Sequence, residues 1–279
     1  MILNAGSYYS LEADRTYLSV SQVKRFLECE AAAKDALCSP QYEEKSTALL
    51  VGGYVDAHFA GEMDAFLADN PQVVTRGGKL KAAFQQAEEI IARIESDELA
   101  MRLMAGEKQR ILTGKIGGHA FKAKPDLILT GEQADAIAAD YPGMSGMAWK
   151  GGAIIDLKVM RDFDPLYRQD EGRMSFVEYW RYDLQMAVYQ EIVRQNTGKT
   201  LPCYILAASK QEPPGLALVE IAQEDLDFCL KWLEERLDHI AAVKRGEEEP
   251  DACGNCAHCR KTRKLTGPMS FVEGRLMAL

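Results

Sequence analysis

The sequence predicts an α/β (α+β) fold with a helical N-terminal half, and three observations carry that prediction. Apolar residues recur at helical spacing through most of the first hundred positions. Between Gln109 and Leu129 the pattern changes to strands around a Gly117-Gly118 turn. The central order then runs helix, three strands, helix, strand, which is the order of a mixed-layer domain. A chain of 279 residues is long enough to bury a sizeable core, and no repeat or linker divides it.

Each element has a local reason. Ser19 and Gln22 have capping-box spacing ahead of Val23, Phe26 and Leu27, so a first helix starts there and contains Cys29. A second helix is expected from Ser46 to Asp69, stopped by Asn70-Pro71, and a third from Lys79 to Met104. Gln109 to Ile116 and His119 to Leu129 read as a hairpin. Thr130 to Gly152, rich in Gly, Ala and Asp, reads as a surface loop or insertion. Ala153 to Met160 is an apolar strand, followed by a helix from Ser175 to Asn196 and strands at Cys203 to Ala208 and Gly215 to Ile221. Leu226, Leu230, Leu233, Leu237 and Ile240 place one stripe along a last amphipathic helix.

Composition narrows the class. Hydrophobic residues at 47% and charged residues at 27% are globular values, which excludes a disordered or fibrous chain. No apolar run reaches the roughly 18 residues of a membrane span, and Met1 to Gly6 lacks a signal-peptide start, so a cytoplasmic protein is expected. With 33 basic and 42 acidic residues the net charge is −9, which weighs against a protein that coats nucleic acid by phosphate attraction alone. It leaves room for an enzyme that meets nucleic acid through metal-binding carboxylates. The seven cysteines, an odd number in a large chain, fit a reducing compartment.

Two strand positions carry chemistry. Asp126 heads the apolar run Leu127-Ile128-Leu129, and Asp156 and Lys158 sit two apart in Ile154-Ile155-Asp156-Leu157-Lys158-Val159. Alternation puts Asp156 and Lys158 on one face and Leu157 on the other. Burying these charges is costly unless they are paired or bind a metal. Two carboxylates on neighbouring strands can share Mg²⁺, with a lysine beside it to orient a water or meet phosphate charge.

Pro125-Asp126 followed by Asp156-x-Lys158 resembles the signature of PD-(D/E)XK nucleases, and the strand and helix order is similar to their restriction-endonuclease-like core. The resemblance implies a mixed central sheet flanked by helices in a single domain, 1–279. Its parts would be a helical region 1–105, a catalytic core 106–222, and a C-terminal helix with a cysteine cluster, 223–279. Gln185 and Tyr189, at i and i+4 on one helical face, match the Gln-x-x-x-Tyr element of the RecB-type branch. His58, after Gly52-Gly53, matches that branch's glycine-then-histidine element, and Glu107 matches a further acidic position. Within the superfamily the likeness is nearest to phage-type RecE-like exonucleases, the exodeoxyribonuclease VIII group. The resemblance implies catalytic Asp126, Asp156, Lys158, Gln185 and Tyr189. It implies Mg²⁺ or Mn²⁺ held by His58, Glu107, Asp126, Asp156 and the Leu157 backbone carbonyl. It also requires Thr130 to Gly152 to be an insertion on the turn between the two acidic strands.

Cys253, Cys256 and Cys259 form C-x2-C-x2-C, a spacing that lets three thiolates converge on one centre. His258 is the local candidate for a fourth ligand. The RecB-type resemblance offers Cys29 instead, completing a [4Fe–4S] or Zn²⁺ site that staples the first helix to the C-terminus. Arg260, Lys261, Arg263 and Lys264 follow as a small basic run, and His119 and His239 read as structural.

The expected function is metal-dependent hydrolysis of double-stranded DNA from its ends. By resemblance the setting is phage or prophage recombination, with a single-strand annealing protein as partner and a homo-oligomer as the assembly. An endonuclease or flap nuclease using the same site, and a non-catalytic DNA-binding protein stapled by metal, are the alternatives.

Overall fold

The computed structural model describes residues 2–38, 46–144, 149, 151–168, 171–264, 267–272 and 275–278. Seven helices come first: α1 (Leu11–Thr16), α2 (Val20–Glu28), α3 (Glu30–Cys38), α4 (Thr47–Ala60), α5 (Met63–Asp69), α6 (Ala82–Glu95) and α7 (Glu98–Leu103). Then come β1 (Glu107–Lys108), the hairpin β2 (Leu112–Ile116) and β3 (His119–Ala123), β4 (Leu127–Thr130), α8 (Gly131–Asp140) and β5 (Gly152–Met160). A small hairpin, β6 (Leu166–Arg168) and β7 (Gly172–Met174), leads into α9 (Phe176–Tyr179) and α10 (Tyr182–Thr197). The chain continues through β8 (Cys203–Ser209), β9 (Leu216–Ile221), α11 (Gln223–Arg245) and α12 (Ala257–Thr262), ending in the hairpin β10 (Met269–Val272) and β11 (Arg275–Ala278).

The central sheet is mixed. Its order is β1-β4-β5-β8-β9, with β5 and β8 parallel and every other pair antiparallel. The parallel pair needs a crossover, which α10 supplies. β5 is buried on both faces, as a run without polar alternation requires. Ile154, Ile205 and Cys203 face the layer of α2, α10 and α11. Ile155, Leu157, Tyr204 and Leu206 face the layer of α4, α6 and α8. The mixed sheet between helical layers is the architecture expected from the sequence.

Several element boundaries differ from the sequence reading, each for a local cause. The expected hairpin 109–129 divides between two sheets. β2 and β3 pair with each other, while β1 and β4 join the central sheet. Pro125, which has no N–H to give a ladder, sits at the switch between β3 and β4, and Gln109 turns at φ 50° between β1 and β2. The helix expected over 46–69 breaks at Gly61, which takes the left-handed conformation at φ 75°. The helix over 79–104 breaks where Asp97 caps a new helix by accepting from Ala100 N. The helix over 175–196 breaks at Arg181, φ 51°. Cys29 lies not within α2 but at its C-cap.

Thr130 to Gly152 is an insertion on the β4–β5 turn, but it is not a loop throughout. Thr130 and Gln133 form a capping box that starts α8, whose Ala134 and Ile137 are buried. Trp149 is buried and stacked on Tyr204 with ring centroids 4.7 Å apart. The return into β5 passes through Gly152 at φ 120°, where an added Cβ would stand 2.0 Å from the Leu129 carbonyl oxygen. Gly152→Ala will therefore combine backbone strain with a main-chain clash and destabilise the protein by about 3 kcal/mol. A lowered midpoint of urea unfolding at unchanged slope is the expected reading.

Candidate active site

The site forms where β4 and β5 part. The register that pairs Leu127 with Ile155 sets Asp126 opposite Asp156 one step further along. β4 ends its pairing there, so the Leu157 N–H has no strand partner on that side and instead donates to Asp126 Oδ2 at 3.0 Å. Asp156 and Lys158 share the face covered by α10, as alternation demands, and Lys158 Nζ lies 2.5 Å from Asp156 Oδ2. Asp156 Oδ2 is buried, and this ion pair is the contact that meets its charge. Lys158 Nζ also approaches the Leu157 carbonyl at 3.4 Å.

Helix α10 braces the carboxylate. Gln185 Nε2 donates to Asp156 Oδ1 at 3.0 Å and reaches the Tyr189 hydroxyl at 3.4 Å. Gln185 Oε1 in turn accepts from Lys24 Nζ of α2 at 3.1 Å. The Tyr182 ring lies under both ammonium groups, 5.1 Å from Lys24 Nζ and 5.2 Å from Lys158 Nζ. A chain of contacts thus runs Lys24, Gln185, Asp156, Lys158.

A third carboxylate arrives from the opposite layer. Asp56 of α4 lines one small cleft with Asp126, Leu127, Leu157, Lys108 and Gln109. Burial, opposed by Lys158 and reinforced by Asp156, pushes the Asp56 carboxyl up to about 6. Burial and the Asp156 charge drive the Asp126 carboxyl well above the ordinary carboxylate range. For Lys158, burial alone would lower the ammonium, but Asp156, Asp126 and Asp56 outweigh it and hold it protonated. Burial and the neighbouring Lys158 bring Lys24 down to about 8. Three carboxylates gathered near one ammonium make an oxygen donor set of the kind that suits Mg²⁺ or Mn²⁺. The carboxylates ring Lys158 more openly than the cysteines gather: among the described residues, only the four thiols have ligand atoms all within 4.8 Å of one another.

The structure brings Asp126, Asp156, Lys158, Gln185 and Tyr189 together, with the Leu157 carbonyl beside Lys158. It does not bring in His58 or Glu107. His58 pairs with Glu95 of α6 at 2.8 Å. Two residues on a helix are about 200° apart, so Asp56, and not His58, turns toward the strands. Glu107 is exposed on the edge strand and pairs with Arg110 at 3.2 Å, while Lys108 and Gln109 line the cleft. Asp56, Lys24 and Tyr182 escaped the sequence reading. Asp56 had a signal: it is the one acidic residue of α4 and stands one turn after Gly52. Asp56→Ala should lower metal-dependent activity about 10²-fold, whereas His58→Ala should leave it within about twofold, read as initial rates at fixed Mg²⁺.

The four cysteines also converge. Cys29 Sγ lies 3.5 Å from Cys259 Sγ, and Cys253 Sγ lies 3.9 Å from Cys259 Sγ. His258 is not the fourth member, since its Nδ1 faces Asp35 at 3.4 Å. Two arginines of the basic run turn back on this loop: Arg263 donates to the Gly254 carbonyl and Arg260 to the Asn255 carbonyl. His239 bridges Glu30 and Glu248, and His119 pairs with Asp238.

A mixed sheet whose parting strands present Asp126 and Asp156-x-Lys158 beneath a Gln-bearing helix defines a PD-(D/E)XK superfamily protein. The chain belongs to the DUF3799 family, described as a PDDEXK-like domain of unknown function, which matches residues 19–136 and 145–262. A crystal structure from Eubacterium rectale, described as a "putative exonuclease", is similar at 44% identity and a TM-score of 0.85, with 97% of each chain covered. No curated protein matches. Among the described residues no helix is long and apolar enough to cross a membrane.

Proposed function

We propose that this protein is a metal-dependent deoxyribonuclease that digests double-stranded DNA from its ends. The observation that carries the reading is the gathering of buried Asp156 with half-buried Asp56 and Asp126 about the Lys158 ammonium, where β4 and β5 part. Asp56, Asp126, Asp156 and the Leu157 carbonyl would hold Mg²⁺ or Mn²⁺. When bound, the metal supplies Lewis-acid stabilisation of phosphate charge and a more acidic water. Lys158 holds the attacking water by hydrogen bonding and places positive charge beside the scissile phosphate. Gln185 fixes Asp156 by donating to its Oδ1, and Lys24 fixes Gln185. Tyr189 and Tyr182 wall the site on the helix side and offer a surface for the strand.

Digestion from free ends rests on the RecE-like resemblance, supported by the description of the Eubacterium rectale protein as an exonuclease; a role in phage-type recombination and an annealing-protein partner rest on that resemblance alone. A second metal at the cysteines, zinc or iron–sulfur, would be structural. The test is Mg²⁺-dependent digestion of linear against covalently closed duplex DNA, with wild type and Lys158→Ala. Loss of linear DNA alone is the expected result. Cutting of closed circles would replace the exonuclease reading with an endonuclease, and no digestion with either metal would overturn the enzyme.

A further inference from the structure

We infer that the N-terminal strap, residues 4–17, makes a path for an unpaired DNA strand. Lys124 holds a phosphate beside the carboxylate site, Tyr9 stacks on a base, and the strand continues into the groove between α2, α3 and α12. The inference extends the deoxyribonuclease reading, and it starts from a buried charge that hydrolysis does not use. Lys122 of β3 is 2% exposed. An ammonium so placed is costly unless its hydrogen bonds are met. Its Nζ donates to Asp14 Oδ1 at 2.6 Å and to the Tyr8 carbonyl, both in the strap. Other contacts hold the strap along its length. Leu18 N donates to Ala120 O and Lys122 N to Leu18 O, each at 2.8 Å. Gln22 Nε2 of α2 donates to Asp14 O at 2.9 Å, and Lys244 Nζ of α11 to Tyr17 O at 2.7 Å.

This anchoring sets two tyrosine rings beside the catalytic strands. Tyr8 is buried, with Lys122 Nζ 4.7 Å from its ring centre. Tyr9 meets it edge-on at 4.9 Å and is itself 72% exposed. Lys124, two residues before Asp126, lies over the Tyr9 ring at 4.9 Å. Burial acts first on the Asp56 carboxyl, then Lys158 and Asp156, and Lys124 is the next charge it feels, so this ammonium stands at the rim of the site. Tyr9 also lines a groove of about 630 Å³ with Arg25, Phe26, His258 and Lys261. Helix α2 joins the two places, since Lys24 bonds Gln185 in the site and its neighbour Arg25 lines the groove. The groove's carboxylates, Asp14 and Asp35, face Lys122 and His258. Among the described residues Lys124, Arg25 and Lys261 stand outside these pairs. In a chain of net charge −9, unpaired cations beside an exposed ring suit a phosphate backbone with accessible bases. A duplex shows a base face only at its last pair, so a ring leading into a groove fits an unpaired strand.

The test is fluorescence anisotropy of the full chain in a Lys158→Ala background, with a labelled single-stranded oligonucleotide and a labelled blunt duplex. Tyr9→Ala should weaken single-strand binding about tenfold and duplex binding by no more than about twofold, while Tyr9→Phe keeps the stack. Tyr9 is mostly exposed, so its loss leaves the fold intact. Lys124→Gln and Lys261→Gln should each flatten the dependence of log affinity on log salt by about 0.7 for the single strand. Single-strand affinity unchanged in Tyr9→Ala, or lost equally for the duplex, would overturn the path, and digestion of linear DNA by the wild type would then leave the nuclease standing. Tyr9-dependent single-strand binding by a wild type that digests no DNA would support the path and overturn the nuclease.

Discussion

Lys158→Ala will lower the rate of phosphodiester hydrolysis by about 10³-fold while leaving binding of duplex DNA nearly unchanged. The ammonium feels Asp56, Asp126 and Asp156 together and is paired with Asp156 Oδ2 at 2.5 Å. Its charge matters most when phosphate charge develops in the transition state, so the loss belongs in kcat and not in KM. A stability effect accompanies it with the opposite metal dependence. Removing one partner of a buried ion pair costs about 3 kcal/mol or more, because Asp156 loses the counter-charge it touches. Thermal melts of the variant should therefore start low and rise more steeply with Mg²⁺ than those of the wild type. A melt insensitive to Mg²⁺ in both proteins would count against a divalent ion at these carboxylates. Lys158→Arg keeps the charge on a larger, planar head, so it should recover stability better than turnover.

The strand-borne part of the site was legible because strand alternation is a strict rule. Asp156 and Lys158 are two residues apart and share a face, and Asp126 faces Asp156 because the register leaves it no other place. The helix-borne part was legible only where spacing came in pairs, as with Gln185 and Tyr189. On α4 a single acidic side chain chose the inward position, and a histidine two residues later was the more conspicuous residue. Lys24 could not be read at all, since its partner Gln185 lies 161 residues away. The division of one expected hairpin between two sheets was hidden for a related reason. Pro125 marks a break in pairing but does not say which sheet the next strand will join. Helix breaks at Gly61 and Asp97 had visible signals in glycine and a capping side chain. The one at Arg181 had none, because a left-handed arginine depends on tertiary contacts such as its stacking over Trp232 at 5.5 Å.

Cys29→Ala will lower the melting temperature by about 10–15 °C, although Cys29 is remote in sequence from the other three cysteines. Its thiol closes a loop of 230 residues onto Cys259. In the chain-entropy account, a link closing so long a loop removes about 5 kcal/mol of unfolded-state freedom. The substitution also deletes a buried sulfur, worth about 1 kcal/mol, so loss of packing alone cannot produce the larger drop. Cys38→Ser, at an exposed thiol, sets the baseline and should shift the melt by no more than about 1 °C. The decisive comparison is the double variant. If all four thiolates hold one ion, losing any of them releases most of its binding energy, so adding Cys256→Ser to Cys29→Ala should cost little more than Cys29→Ala alone. Additive losses would mean that Cys29 only fills space beside an independent three-cysteine turn. Strong non-additivity between residues more than 200 positions apart would show that the N-terminal helices and the C-terminal segment are held as one unit through those thiolates.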